Sequence, residues 1–190
     1  MINLKYSVGI DVSKKDFHCC LSVIDTEQCV KVKASHKFSN STSGFKLFMD
    51  WLRRNSKDPI PVFCVMEATG VYHEQLAWFI DGQAVSVSIL LPNKAKKYLQ
   101  ANGAKSKNDK IDARGLAQIG AEKKLQLWVP PTKKLADLRC YTRQHQSLSE
   151  FHTALNNQLE AIKHSQFQSK DIIKQLNKTM RLIEKKILEI

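Results

Sequence analysis

Four acidic side chains occupy positions where a buried strand ends or a helix begins. Asp11 lies near the end of a β-forming segment, and Glu67 directly follows a continuous apolar run. A carboxylate where a buried strand emerges is costly unless it is paired, protonated or bound to a cation. Asp109 and Asp112 are three residues apart, which puts both on one face of a helix start, where the helix dipole favours negative charge.

These four acids predict a divalent-metal site. If the strand that contains Asp11 lies next to the strand that precedes Glu67, these two acids lie close together. A helix that begins at Asp109 and crosses the ends of the two strands would then add Asp109 and Asp112 to them. Clustered carboxylates repel one another unless hard cations lie among them, and ligands that are all oxygen suit Mg²⁺ or Mn²⁺. Two such ions about 4 Å apart stabilise a phosphoryl displacement. We therefore predict that Asp11, Glu67, Asp109 and Asp112 are both metal ligands and catalytic residues.

Each acid taken alone also has a simpler interpretation. Asp109 could be a helix N-cap and Asp112 a first-turn acid, and Glu67 could begin a turn. Asp11 could cap a turn together with Ser13. The order of the four along the chain is more specific than any single position.

The elements that must position these acids follow from hydrophobic periodicity and turn residues. The first three strands form an antiparallel meander, and the strand before Glu67 is continuously apolar, as expected of a central strand. The predicted strands cover 4–12, 16–24, 29–38, 62–66 and 84–91, and the predicted helices cover 43–55, 72–82, 93–101 and 109–124. This order of elements is that of the ribonuclease-H-like α/β fold.

The composition and the hydrophobic pattern of the chain change after Pro131. No Gly or Pro follows Thr132, and two apolar seams with three- and four-residue steps run from Leu148 to Ile162 and from Ile173 to Ile190. We predict a ribonuclease-H-like domain at 1–131 and an all-α coiled-coil segment at 132–190. The two seams require a partner, which could be each other, another subunit or a further domain.

Positive charge concentrates in the second half of the chain. The 190 residues carry a net charge of +12; residues 91–190 contain 20 basic and 9 acidic side chains. This asymmetry favours a polyanionic partner, most commonly nucleic acid, although long helices also carry many solvated lysines. Tyr98 could stack on a base. The predicted nucleic-acid contacts are Lys94, Lys96, Lys97, Tyr98, Lys105, Lys107, Lys110, Arg114, Lys123, Lys124, Arg139 and Arg143.

Several functional classes are disfavoured. No apolar run approaches the ~20 residues of a membrane helix, and charged residues appear too early for a signal peptide. The five cysteines contain no metal-binding spacing, which indicates reduced thiols and a cytoplasmic protein. The glycines form no phosphate-binding loop, so an NTPase is not indicated.

Three motifs and their order resemble a known family. GIDVSKKDF, VMEATGVYHEQLA and KNDKIDARGLA, followed by LWVPP, are similar to the DEDD transposases of the IS110 insertion sequences, which include pilin-gene invertases and bridge-RNA-guided recombinases. The family tetrad maps onto the same four acids. The resemblance implies a fold like that of Holliday-junction resolvases, then a coiled coil, then a C-terminal domain with a catalytic serine, which would lie beyond Ile190.

The expected function is therefore metal-dependent DNA cleavage and strand transfer by a transposase or site-specific recombinase, in a bacterial-type, nucleoid-associated protein. The resemblance adds a structured guide RNA as a partner and a homo-oligomer formed through the coiled coil. It also implies that this chain alone does not complete recombination. The alternative is a non-catalytic module, derived from a transposase, that binds RNA or DNA and dimerises.

Overall fold

A computed structural model describes residues 2–68, 70–101 and 109–190. These ranges contain five strands and six helices, in the predicted order. They are β1 (Asn3–Val12), β2 (Asp16–Asp25), β3 (Val30–Ser39), α1 (Thr42–Asn55), β4 (Val62–Glu67), α2 (Glu74–Asp81), β5 (Ser86–Leu90), α3 (Pro92–Ala101), α4 (Asp109–Glu122), α5 (Lys133–Lys163) and α6 (Lys170–Leu188).

The five strands form one mixed sheet in the order β3-β2-β1-β4-β5. β1, β2 and β3 pair antiparallel, since short turns join them, whereas β4 and β5 run parallel to β1 and are reached through helical crossovers. This arrangement confirms the predicted α/β, ribonuclease-H-like fold. β1 lies at the centre, which explains why its residues from Tyr6 to Ile10 are buried.

One face of the sheet packs against α1 and α2. Aromatic rings dominate this core: Phe17 contacts Phe38, Phe45 and Phe48 at centroid distances of 5.6, 6.0 and 5.7 Å. Ser41 caps α1, as its side chain accepts a hydrogen bond from the backbone of Gly44. The aromatic cluster thus fixes α1 against the meander.

The opposite face carries α4, which approaches the sheet unusually closely. A Cβ added to Gly9 of β1 would lie 2.0 Å from the carbonyl oxygen of Ala113 and 2.2 Å from the backbone nitrogen of Ala117. A Cβ on Gly120 would lie 2.3 Å from Ser7 Oγ. Glycine is therefore required on both sides of this contact.

Residues 1–130 and 131–190 are two separate compact units. In the second, α5 and α6 form an antiparallel hairpin in which Leu159, Leu176 and Met180 are buried, with Leu155, Ile162 and Ile173 packed around them. Ser169 caps α6, as predicted. Of the three partners left open for the apolar seams, the two helices use each other over this stretch.

All five cysteines are free thiols; Cys19, Cys20 and Cys64 are buried and Cys29 and Cys140 are exposed. Burial raises the pKa of the Cys64 thiol to about 12, so it is a neutral core group at physiological pH. Within the described residues, no helix combines the length and the apolar character needed to cross a membrane.

Candidate active site

The carboxyl ends of β1 and β4 lie side by side. In the parallel register Gly9 is level with Val65 and Ile10 with Met66, so the next residues, Asp11 and Glu67, reach the same level of the sheet. Glu67 is the last residue of β4 rather than the first residue after it. Both side chains are half-buried. The sequence-based condition that these strands be adjacent is met.

The helix α4 brings its first turn to the same place. Its residues Ala113 and Ala117 touch Gly9, while Gly120 touches Ser7, so α4 runs from the carboxyl end of β1 towards the amino end. Since side chains two residues apart on a strand share a face, Asp11 lies on the face that α4 covers. Asp112, half-buried and next to Ala113, therefore belongs to this end of the helix.

We call Asp11, Glu67 and the first turn of α4, with Asp109 and Asp112, the acid edge. The carboxylate oxygens it offers are hard ligands of the kind that Mg²⁺ and Mn²⁺ take, which makes the donor chemistry suitable for either ion. Among the described side chains, no three His, Cys, Asp or Glu groups are close enough together to hold a metal ion, and the side chain of Asp109 lies outside that set. The fit of a metal ion to the acid edge thus depends on the type of donor atom and on the position of these acids at one edge and on one face of the sheet.

Two further polar residues extend this row across the sheet, and neither was among the predicted site residues. His18 of β2 pairs directly with Asp11, and Lys37 of β3 pairs with His18. The signal for His18 was present in the sequence, because the two-residue loop after Ser13 sets which residues of the hairpin face each other. Lys37 could not be read in this way, since a bulge between Leu21 and Ser22 shifts the β2–β3 register.

The turn that follows Asp11 is joined to the loop that follows Glu67. The Asn40 side-chain amide donates hydrogen bonds to the carbonyl oxygens of Ser13, at 2.9 Å, and Tyr72, at 3.1 Å. Lys37 Nζ lies 2.8 Å from Asp16 Oδ2 and lowers the pKa of that carboxyl. The Asn40 amide thus joins the two loops, while the ion pair links β3 to the first residue of β2.

Basic residues on α4 lie beside this edge. Cys20 of β2 packs against Ala113, the residue before Arg114. Burial raises the pKa of the Cys20 thiol, while a hydrogen bond with Ser22 and the positive charges of Arg114 and Lys110 oppose that rise. Both residues are exposed. Lys123 and Lys124, in contrast, follow the other end of α4, ~16 Å further along the helix than Asp112, and line a small cavity with Lys5 and Phe63.

The basic residues of α3 divide into exposed lysines and an anchored tyrosine. Lys94, Lys96 and Lys97 are exposed. The ring of Tyr98 packs on the cluster of Ala95, Leu116 and Ile119, and its hydroxyl donates a hydrogen bond to Glu122 Oε2. That hydrogen bond lowers the pKa of Glu122.

The remaining predicted contacts lie elsewhere. Lys105 and Lys107 are outside the described residues. Arg139 and Arg143 are exposed on the first half of α5, in the second unit. The acid edge is thus assembled within residues 1–130, and the predicted basic set is distributed over both units.

Comparison with known proteins assigns the chain to a family. Residues 8–165 match the family model of the IS110-type DEDD transposases, described as a transposase. Pilin gene-inverting proteins of Moraxella bovis and Moraxella lacunata are each 30% identical to this chain over 142 residues, which is 75% of this chain. The chain spans 42% of the length of these relatives.

Part of the chain is also similar to solved structures. The structure of Thermus thermophilus RuvC is 9% identical, with a TM-score of 0.49, and covers 65% of this chain and 99% of its own. A complex of the Fowlpox virus resolvase with Holliday junction DNA is 15% identical, with a TM-score of 0.45, and covers 62% of this chain and 97% of its own. The assignment rests on the family match and not on these likenesses: the chain belongs to the DEDD transposase family of IS110 insertion sequences.

Proposed function

We propose that this chain carries the nuclease centre of a DNA transposase, in which Asp11, Glu67, Asp109 and Asp112 hold Mg²⁺ or Mn²⁺ at a DNA phosphodiester. The observation that carries the proposal is the convergence of three acid-bearing elements. Asp11 and Glu67 reach the same level at the carboxyl ends of β1 and β4, and α4 begins over that end with Asp112 in its first turn.

The residues have separable roles in such a reaction. The acids concentrate negative charge where a cation, when bound, would polarise the phosphoryl group and stabilise the charge that develops in the transition state. Lys110 and Arg114 flank the acids and would hold the DNA backbone, because an acidic site alone repels phosphates. The close contact of α4 with Gly9 keeps the acids in place while DNA binds.

A wider basic surface would add affinity. We propose that the exposed side chains of Lys94, Lys96 and Lys97 contact nucleic-acid phosphates. Further proposed contacts are Lys105, Lys107, Lys123, Lys124, Arg139 and Arg143. Their excess positive charge supports this, since phosphate contacts release counterions and dominate affinity. The family resemblance supports a structured guide RNA as the second nucleic acid, and a nucleoid location follows from the DNA substrate.

The complete reaction is proposed for the longer protein. The family resemblance implies a serine-bearing domain after the helical segment, and the chain spans 42% of its curated relatives. We infer that strand exchange between two DNA sites requires that serine and an oligomer formed through the helical segment. The 190-residue chain would then bind metal and DNA but would not complete recombination.

The proposal is tested by Mn²⁺ calorimetry and by cleavage of a four-way DNA junction with Asp11→Asn and Glu67→Gln variants. Both replacements keep the side-chain shape and remove one charge, so heat of Mn²⁺ binding and metal-dependent cleavage should be lost while the melting temperature stays close to that of the wild type. Asp81→Asn, an exposed acid at the end of α2, is the matched control.

Two outcomes would decide against the proposal. Equal heats of Mn²⁺ binding for the wild type and the Asp11→Asn variant would contradict the proposed metal site. Tight, metal-independent junction binding without any cleavage would instead favour the alternative of a non-catalytic binding module.

A further inference from the structure

The tight turn after Asp11 is held by several hydrogen bonds. Lys14 and Lys15 form a two-residue loop between β1 and β2, and neither has the positive φ that the favoured turns of such loops require. The turn is closed instead by its flanking residues: the Ser13 backbone N–H donates to the Asp16 carbonyl at 2.8 Å, and Ser13 Oγ donates to the same carbonyl at 2.8 Å. We call residues 13–16 the lysine turn.

The lysine turn is also tied from outside. The backbone N–H of Asn40 donates to the Lys15 carbonyl at 2.9 Å, and the Asn40 side-chain amide donates to the Ser13 carbonyl at 2.9 Å. The same amide reaches Tyr72 in the loop after β4. Both ends of the two-lysine loop are therefore hydrogen-bonded to Asn40, in the segment that precedes α1.

The two ammonium groups lie at the tip of the turn. Both side chains are exposed, and in the described part of the chain neither forms an ion pair. The one acid in the turn, Asp16, is paired with Lys37. Lys14 follows Asp11 by three positions, a span of about 10 Å in extended chain. Within the described residues, the structure thus presents two positive charges without an ion-pair partner, on a hydrogen-bonded backbone that directly follows the end of β1 at which Asp11 lies.

We propose that Lys14 and Lys15 are a preorganised contact for the phosphates of the DNA strand that enters the acid edge. The inference rests on the proposed function and adds a contact to it, since neither lysine was in the predicted basic set. A fixed backbone matters because it reduces the ordering cost of binding, whereas two lysines kept only for solubility need no such network. DNA is favoured over other polyanions because it is the substrate proposed for the adjacent acids.

The test is the salt dependence of binding of a fluorescein-labelled four-way DNA junction in Ca²⁺. The variant Lys14→Gln/Lys15→Gln should bind the junction several-fold more weakly. The slope of log K against log salt concentration should also become smaller in magnitude by about 1 to 2, because each lost phosphate contact reduces that slope by roughly 0.9. The control is Lys46→Gln/Lys57→Gln, which removes the same charge from exposed positions on α1 and before β4. Its slope should match that of the wild type.

A third variant, Asn40→Ala, keeps both lysines and removes the side-chain tie. It should weaken junction binding, and hydrogen exchange of residues 13–16 should become faster. If it fails to fold, Ser13→Ala tests the same network from within the turn.

The outcomes separate this inference from the proposed function. Equal loss of affinity in the two double variants would overturn the inference, since only net charge would then matter. A slope change that appears with a structured RNA and not with the DNA junction would also overturn it. If the slope changes as expected while Asp11→Asn still cleaves, the contact stands and the proposed metal centre does not.

Discussion

At the scale of single residues, Tyr98 shows how a local pattern can suggest two roles. It lies among lysines, which suggests a base-stacking side chain, yet its ring packs on Ala95 and Leu116 and its hydroxyl binds Glu122. A hydrogen bond from α3 to the last residue of α4 ties the two helices together. The stacking role stays a prediction, and the tether is a structural role that can be tested separately.

Tyr98→Phe removes the hydroxyl and keeps the ring. We expect the free energy of unfolding to fall by about 0.5–1 kcal/mol at pH 7, since the bond is charge-assisted but close to solvent. The hydroxyl lowers the pKa of Glu122, so its contribution is present above the unfolded pKa of that group and is lost as the pH falls through the folded one. Urea unfolding at pH 7 and pH 4 should therefore show a smaller difference between variant and wild type at pH 4.

Nucleic-acid affinity provides the contrast. If Tyr98 stacks on a base, Tyr98→Phe should leave affinity unchanged and Tyr98→Ala should lower it. Equal affinity of the wild type, Tyr98→Phe and Tyr98→Ala would show that Tyr98 does not stack on a base. A stability loss that is equal at both pH values would show that Glu122 is not the partner of the hydroxyl.

At the scale of elements, each strand and helix could be predicted because its signals are local. Ser41 and Ser169 cap helices, and apolar periodicity marks the strands. The meeting of Asp11 and Glu67 was predicted only on the condition that β1 and β4 be neighbours. Asn40 could not be recognised as a link between loops, since its partners Ser13 and Tyr72 lie 27 and 32 residues away.

The contact between α4 and β1 gives an element-scale prediction. Gly9→Ala would place a Cβ 2.0 Å from the Ala113 carbonyl oxygen, which forces α4 away from the sheet. We expect a loss of about 1–3 kcal/mol in the free energy of unfolding, as in other overpacked cores, and weaker Mn²⁺ binding at the displaced acid edge. Urea denaturation and calorimetry measure the two effects.

Gly82→Ala is the matched control for that change. Gly82 follows α2 with a φ of −62°, and the nearest atom to an added Cβ is 3.5 Å away. Alanine there should be neutral or stabilise the fold by about 0.4–1 kcal/mol through the unfolded state. Wild-type stability in Gly9→Ala would mean that α4 adjusts freely and that its position is not set by this glycine.

At the scale of the whole molecule, the helical unit has two distinct apolar surfaces. One is the seam inside the α5–α6 hairpin, where Leu159, Leu176 and Met180 are buried. The other is on the first half of α5, where Leu135, Leu138 and Tyr141 are 56%, 60% and 59% exposed. The second surface was not among the predicted seams, because the first predicted seam begins at Leu148.

Because the two surfaces are separate, substitutions in each one can distinguish self-association of the chain from folding of the hairpin. We propose that the chain associates through the exposed stripe, since apolar side chains at helical spacing gain stability when a second copy covers them. Leu135→Glu/Leu138→Glu should then give monomers by light scattering, with unchanged helicity by circular dichroism. Leu176→Glu should instead lower helicity, because it places a carboxylate within the hairpin seam, at a cost of at least the ~2–5 kcal/mol of a large-to-small core change. A wild-type chain that is monomeric at micromolar concentration would show that the α5–α6 hairpin already covers the apolar seams, and self-association through residues 133–190 would then be wrong.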